Sequence, residues 1–231
     1  MNIPSFERVL IVGAGSGLSA SLVRLFTAEG MAVALAARRP EKLQALCAET
    51  GARAHACDAV NPQDVQRLFA ELEGSSGAPD AVVYNASGRV RGAFADLEPE
   101  DVKKAIEVTA FGGFLVAREA VRRMLPKNHG AVLFTGASAS VKGYAQSAPF
   151  AMGKFALRGL AQSMARELGP QGIHVAHFVI DGGIAREGRT PSGNDALLDP
   201  DAIAINYLHV MLQPRSAWTF EIELRPWVEK F

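Results

Sequence analysis

Three glycines fall within five residues at the end of an apolar run. Val9-Leu10-Ile11-Val12 leads into Gly13-Ala14-Gly15-Ser16-Gly17, and Leu18-Ser19 opens a helical stretch. Backbone N–H groups at such a strand-to-helix turn, with the positive end of the helix dipole behind them, hold a pyrophosphate. Gly13-x-Gly15 begins the six-residue dinucleotide fingerprint, but Leu18 stands where its last glycine would fall, so position carries more than spelling. A tight turn alone would use glycine too, yet three so close together are costly unless another group must approach the backbone. About twenty positions further on, where an acidic residue would take a ribose 2′-hydroxyl, the chain has Ala36-Ala37-Arg38-Arg39 and no carboxylate. A guanidinium is a permanently charged fork suited to a 2′-phosphate, so Arg38 favours NADP(H) over NAD(H), although two solvated arginines at a helix start would read the same way. Asp58, after a later apolar run, is placed to accept from an adenine amino group or to lead a helix with Asn61-Pro62.

Other chemistries find less support. Lys and Arg number 24 against 24 Asp and Glu, which leaves no cationic excess for nucleic acid. Cys47 and Cys57 are the two cysteines, without a CxxC or a His-rich neighbourhood, so neither a disulfide framework nor a metal site is expected and a reducing, cytoplasmic compartment fits. The five histidines, His174 and His177 among them, show no acidic partner or metal spacing and are expected in core or surface roles. Ser138 and Ser140 lack a nucleophile-elbow GxSxG, which argues against a hydrolase. No stretch resembles a signal peptide or a membrane span.

The elements that would position these residues alternate along the chain. Apolar runs at 9–12, 32–36, 53–57, 81–84, 131–134 and 174–180 are separated by helical periodicity at 18–29, 41–49, 63–71, 100–125 and 147–168. Parallel strands need such crossovers, and near-continuous apolar strands are those covered on both faces. The expected fold is therefore α/β, a doubly wound parallel sheet with helices on both faces. With 231 residues, 48% of them hydrophobic, one core and a single domain over 1–231 is expected. Residues 181–199, rich in Gly and Pro, read as a mobile, substrate-side loop. Ala217 to Leu224 alternates, as a last strand at a sheet edge or oligomer contact does.

With these motifs in their order, the chain resembles the short-chain dehydrogenase/reductase family to about Gly183 and more loosely beyond. Gly13-x-x-x-Gly17 is similar to its glycine loop, Asp58 with Ala59 to its adenine contact, Asn85-Ala86-Ser87-Gly88 to its NNAG segment, and Phe150-Ala151-Met152-Gly153-Lys154 to its YxxxK motif. The resemblance implies Ser16 to Leu18 on the pyrophosphate, Asn85, Ala86 and Gly88 beside the ribose, Lys154 on the nicotinamide ribose and Ile184 near the carboxamide. It also marks departures. Ser19 replaces a glycine, Thr109 the helix asparagine that supports a proton-relay water, Phe150 the tyrosine, and Ala137 the serine, with Ser138 one step later. Asp181-Gly182 replaces the family's Pro-Gly.

The function expected on this basis is an NADP(H)-dependent oxidoreductase acting on a carbonyl or alcohol small molecule. Its proton donor is reassigned to Tyr144, Ser138, or a water held by Lys154 and Thr109, because phenylalanine can neither give nor take a proton. The alternatives are an NADP(H)-binding sensor or partner protein without turnover, and a lyase or isomerase using Asp181 or Lys154. Apolar residues on several faces of 100–125 and 147–168 suggest a homodimer or homotetramer.

Overall fold

The computed structural model describes residues 3–186, 188 and 195–229. Seven parallel strands form one sheet in the order β3-β2-β1-β4-β5-β6-β7. They are β1 Arg8–Val12, β2 Ala32–Ala37, β3 Arg53–Ala56, β4 Ala81–Tyr84, β5 Gly130–Thr135, β6 Ile173–Ile180 and β7 Glu221–Leu224. The helices between them are α1 Leu18–Ala28, α2 Gln44–Thr50, α3 Pro62–Ser75, α4 Pro99–Ile106, α5 Gly112–Met124, α6 Ala148–Leu168 and α7 Pro200–Met211. The doubly wound α/β expectation holds.

Alternating strand residues feed two separate cores. Val9, Ile11, Val33, Leu35, Val83 and Leu133 pack with Leu22 and Phe26 of α1, Leu46 of α2 and Tyr207 of α7. Leu10, Val12, Val82, Tyr84, Val132 and Phe134 pack with Phe69 of α3, Val116 of α5 and Leu157 of α6. Both faces are apolar because both are covered, which is why these strands read as continuous runs.

Three features differ from the sequence reading. The helix expected over 100–125 is broken by a π-helical stretch, Glu107–Phe111, between α4 and α5. The α7 helix was not expected at all. It is capped by Asp199, whose carboxylate accepts from Asp201 N at 2.9 Å, with Pro200 in the first turn, and a parallel β7 requires such a crossover. Tyr207 stacks on Phe178 with ring centroids 3.6 Å apart. Finally, the alternation from Ala217 yields a strand only from Glu221, at the sheet edge, while Arg215–Ala217 form a 3-10 turn. Of the loop expected over 181–199, residues 187 and 189–194 lie outside the described residues.

Candidate active site

β1 pairs with β2 on one side and β4 on the other, so the chain winds away from β1 in both directions. The helices that follow these strands cover opposite faces, and a crevice opens beyond the strands' carboxyl ends. A cavity of about 510 Å³ fills it. Gly13, Gly15, Ser16, Arg38, Asp58, Ala59, Asn85 and Ala86 all line it, and so do Arg39, Lys42 and Ser87.

The glycines differ in what requires them. Gly13 has φ 83°, and a Cβ there would overlap the Ala86 backbone, so it allows the glycine loop to touch the segment after β4. No other residue's atom lies within 4 Å of a Cβ built on Gly15 or Gly17. At Gly15 the open space faces the cavity, the room a phosphate needs to reach backbone N–H groups. Gly17 caps α1 without lining the cavity, and Leu18 is buried in the core.

Ser19, at a glycine position of the family pattern, has a structural reason. Asn85 Nδ2 donates to Ser19 Oγ at 2.8 Å, Ser19 Oγ donates to Gly13 O at 3.4 Å, and Asn85 N donates to Val12 O. One buried hydroxyl thus joins the two loops that line the cavity. Gly88 and Thr109 form a second tie. Gly88 N donates to Thr109 Oγ1 at 2.9 Å, and Thr109 Oγ1 donates to Ala105 O at 2.7 Å. A Cβ on Gly88 would overlap Ala105. Thr109 is fully buried in the π-helical stretch and lines neither this cavity nor the next, and Gly88 does not line them either. The same stretch leaves the Val108 carbonyl to accept from the Tyr84 hydroxyl. The π-turn and its hydroxyl therefore fasten the segment after β4 to the helix layer.

Asn85 and Ser87 continue into a second cavity of about 250 Å³, lined by Lys154, Ile184, Phe150, Thr135, Ala137, Arg89 and Arg186 among others. Lys154 is 3% exposed, and its Nζ donates to Thr135 O at 2.6 Å. Burial, reinforced by the nearby Arg89 charge, lowers its pKa to about 7. Nζ lies 5.8 Å from the centroid of the Phe150 ring, and Arg89 Cζ lies 4.6 Å from the same centroid.

Behind this cavity stands a pair that the sequence did not suggest. His177, expected without an acidic partner, is fully buried, and its Nδ1 lies 2.9 Å from Glu221 Oε2. Burial outweighs Glu221 and brings the imidazole to about 4, so the neutral ring donates Nδ1–H to the carboxylate. Glu221 also takes a bidentate pair from Arg158, both distances 2.7 Å. His177 Nε2 has no partner among the described residues and faces Gly136, where a Cβ would collide with it.

Two expected site residues stand apart. Ser138, in the 3-10 turn Ser138–Ser140 after β5, and Tyr144, 45% exposed, line neither cavity. Asp181 is buried beside Lys142, with Nζ 3.4 Å from its carboxylate, also outside both linings. Arg39, Lys42, Arg89 and Arg186 are the lining cations that the motifs did not assign. Among the described residues, no group of three or more His, Cys, Asp or Glu is placed to hold a metal, and no helix is long and apolar enough to cross a membrane.

A parallel sheet of this strand order, with helices on both faces and a glycine loop at its switch point, defines the class of doubly wound, Rossmann-like α/β proteins. Residues 7–189 match the family model for the short chain dehydrogenases, and the chain belongs to that family. It is 33% identical over 173 residues to a short chain aldehyde dehydrogenase 1 of Euphorbia lathyris, a match covering 72% of this chain but 60% of that relative's length. A short-chain dehydrogenase structure from Rhodopseudomonas palustris is 36% identical, with a TM-score of 0.84 and 97% of this chain covered against 100% of that one. A metagenomic short-chain oxidoreductase in complex with NADP is 25% identical, with a TM-score of 0.84 and coverage of 95% and 97%.

Proposed function

We propose that this protein is an NADP(H)-dependent oxidoreductase that interconverts a carbonyl and an alcohol, with Lys154 as its proton donor. The observation that carries this reading is the pair of adjoining cavities at the strand ends. Cations, Arg38, Arg39 and Lys42, mark one extremity, and a buried amine marks the other. The residues present fit the cofactor. Gly15 leaves open space against the backbone, the arginines suit a 2′-phosphate, and Asp58 suits an adenine amine. The solved relative that holds NADP supports the same choice.

Bound NADPH supplies the hydride. The chain's own part is the proton. Phe150, in the position of the family's tyrosine, offers no acidic group. Ser138 and Tyr144 do not line the cavity, and Thr109 has committed its hydroxyl to two backbone groups. Lys154 is left as the titratable side chain of the lining whose pKa lies near neutrality, where a general acid works best. In reduction its ammonium gives a proton to the developing alkoxide and regains one from water. In oxidation the neutral amine takes the alcohol proton. Residues of the 181–199 segment border this cavity at Gly182, Gly183, Ile184 and Arg186, which supports a substrate-side role for it. Phe111, Phe114 and Phe155, each 44% exposed on the π-helical stretch, α5 and α6, support a homodimer or homotetramer formed through these helices.

The test is NADPH oxidation over a panel of aldehydes and ketones by wild type, Lys154→Met and Phe150→Tyr, with NADPH affinity measured separately. Expected is turnover that Lys154→Met lowers about 10²- to 10⁴-fold, as loss of a general acid does, and that Phe150→Tyr raises. Tight NADPH binding with no turnover in wild type or Phe150→Tyr would instead leave a nucleotide-binding protein without redox activity.

A further inference from the structure

The cavity around Lys154 carries more positive charge than a neutral carbonyl needs. Lys154, Arg89 and Arg186 line it, and among its described lining residues none is Asp or Glu. The nearby Asp181 carboxylate is turned toward Lys142. Two of the cations approach one ring. The Arg89 guanidinium lies over Phe150 at 4.6 Å, and the Lys154 amine lies 5.8 Å from the same centroid. Phe150 thus acts as a flat apolar platform that fixes a guanidinium beside the proton donor. Arg89 engages other groups as well, so its position, and not any want of neighbours, is what matters here. Lys154 is committed to the Thr135 carbonyl and to the proton step, and Arg89, over the Phe150 ring, is the planar fork set beside it. A fork of this kind pairs with a carboxylate through two parallel hydrogen bonds.

Resting on the oxidoreductase reading above, we propose that the substrate is a keto acid, whose carboxylate is held by Arg89 above the Phe150 ring while its carbonyl oxygen faces Lys154. In the forward step the carbonyl carbon receives the hydride and its oxygen receives the Lys154 proton. The C=O π bond is replaced by C–H and O–H bonds, the nicotinamide is oxidised, and the carboxylate emerges unchanged on a hydroxy acid. Arg186, at the cavity lip, adds a second counter-charge. The same guanidinium chemistry would also serve a cofactor phosphate, and the measurements separate the two.

Initial rates with 2-oxobutyrate and acetoacetate are compared with those for their methyl esters, in wild type, Arg89→Gln and Arg89→Lys. Expected is a preference for the acid of about 10- to 100-fold in kcat/KM, the worth of a charge-assisted hydrogen bond, that disappears in Arg89→Gln and partly returns in Arg89→Lys. NADPH affinity should be unaltered in both variants. Esters used as well as acids, or an acid preference surviving in Arg89→Gln, would overturn the proposal while leaving an oxidoreductase. NADPH binding weakened as much as turnover in Arg89→Gln would assign Arg89 to the cofactor and overturn it too. If wild type turns over no carbonyl, calorimetric titration of the two keto acids into the NADPH-saturated protein decides. Binding lost in Arg89→Gln upholds the anion site although the redox reading fails, and equal or absent binding ends both.

Discussion

The end of the crevice proposed for the nucleotide and the end proposed for the reaction are built on different physics. At the nucleotide end the cradle is backbone and exposed cation. Gly15 is open, Ser19 ties two loops together, and Arg38, Arg39 and Lys42 face solvent-accessible space. At the reacting end the chemistry is held by burial. Lys154 is 3% exposed and bonded to Thr135 O, His177 is buried against Glu221, and Thr135 Oγ1 meets the Tyr207 hydroxyl at 2.8 Å. A guanidinium carries a permanent charge, whereas a desolvated amine shifts toward neutrality. One end can therefore recognise a phosphate with fixed charge, while the other can exchange a proton at physiological pH.

The sharpest way to break this contrast is Lys154→Met. Besides the loss of reduction proposed above, the buried ammonium and its desolvation cost are removed, so the variant should melt at a higher temperature than wild type at pH 7. Activity lost together with stability would mean that Lys154 is chiefly structural. The nucleotide end should respond differently. Arg38→Ala is expected to weaken NADPH binding about 10- to 100-fold, the range for a hydrogen bond to a charged group, and to leave NADH binding nearly unchanged. Equal loss for both nucleotides would place Arg38 outside the 2′-phosphate contact.

These two ends were not equally legible in the sequence. Glycine spacing at a strand end and an arginine pair one strand later are local signals, and the cavity lining contains Gly13, Gly15, Arg38, Asp58 and Asn85 together. The reacting end depends on contacts between distant segments. His177 and Glu221 are 44 residues apart, and Arg89 meets Phe150 across the crevice, so no spacing rule connects them. Thr109 was given a water-holding role through the family pattern, but the π-turn directs its hydroxyl to Gly88 N and Ala105 O. The α7 helix escaped because apolar residues are not confined to the face that packs: Ile203, Ala204, Tyr207, Leu208, Val210 and Met211 share the buried side, but Ile205 lies exposed on the other, which blurs the amphipathic period. Its Asp199-Pro200 start matches Asn61-Pro62 at α3, a signal that would have exposed it.

The pH profile sharpens the comparison further. With Lys154 as the proposed acid, reduction needs its ammonium, and burial brings its pKa to about 7. With substrate and NADPH subsaturating, kcat/KM for reduction should be level below that point and fall about tenfold per pH unit above it, the slope of a single ionisation. Oxidation should show the mirror image, rising with pH through the same region. NADPH affinity, set by permanently charged arginines, should stay flat across it. A reduction rate that remains level to pH 9 would remove Lys154 as the acid.

The smallest expected effect concerns Ser19, where the two ends are coupled. Its hydroxyl accepts from Asn85 Nδ2 and donates to Gly13 O, and Asn85 lines both cavities. Ser19→Ala keeps the volume nearly constant but leaves the half-buried Asn85 amide without that acceptor, which should cost about 0.5–1.5 kcal/mol of stability in urea unfolding. Ser19→Gly, the residue of the family pattern, removes the same hydroxyl from the first turn of α1 and adds about 1 kcal/mol through lost helix propensity. Because the tie spans glycine loop and Asn85, NADPH affinity should fall a few-fold in both variants. A stability loss without any change in affinity would show that the serine supports the fold while the cradle holds its shape alone.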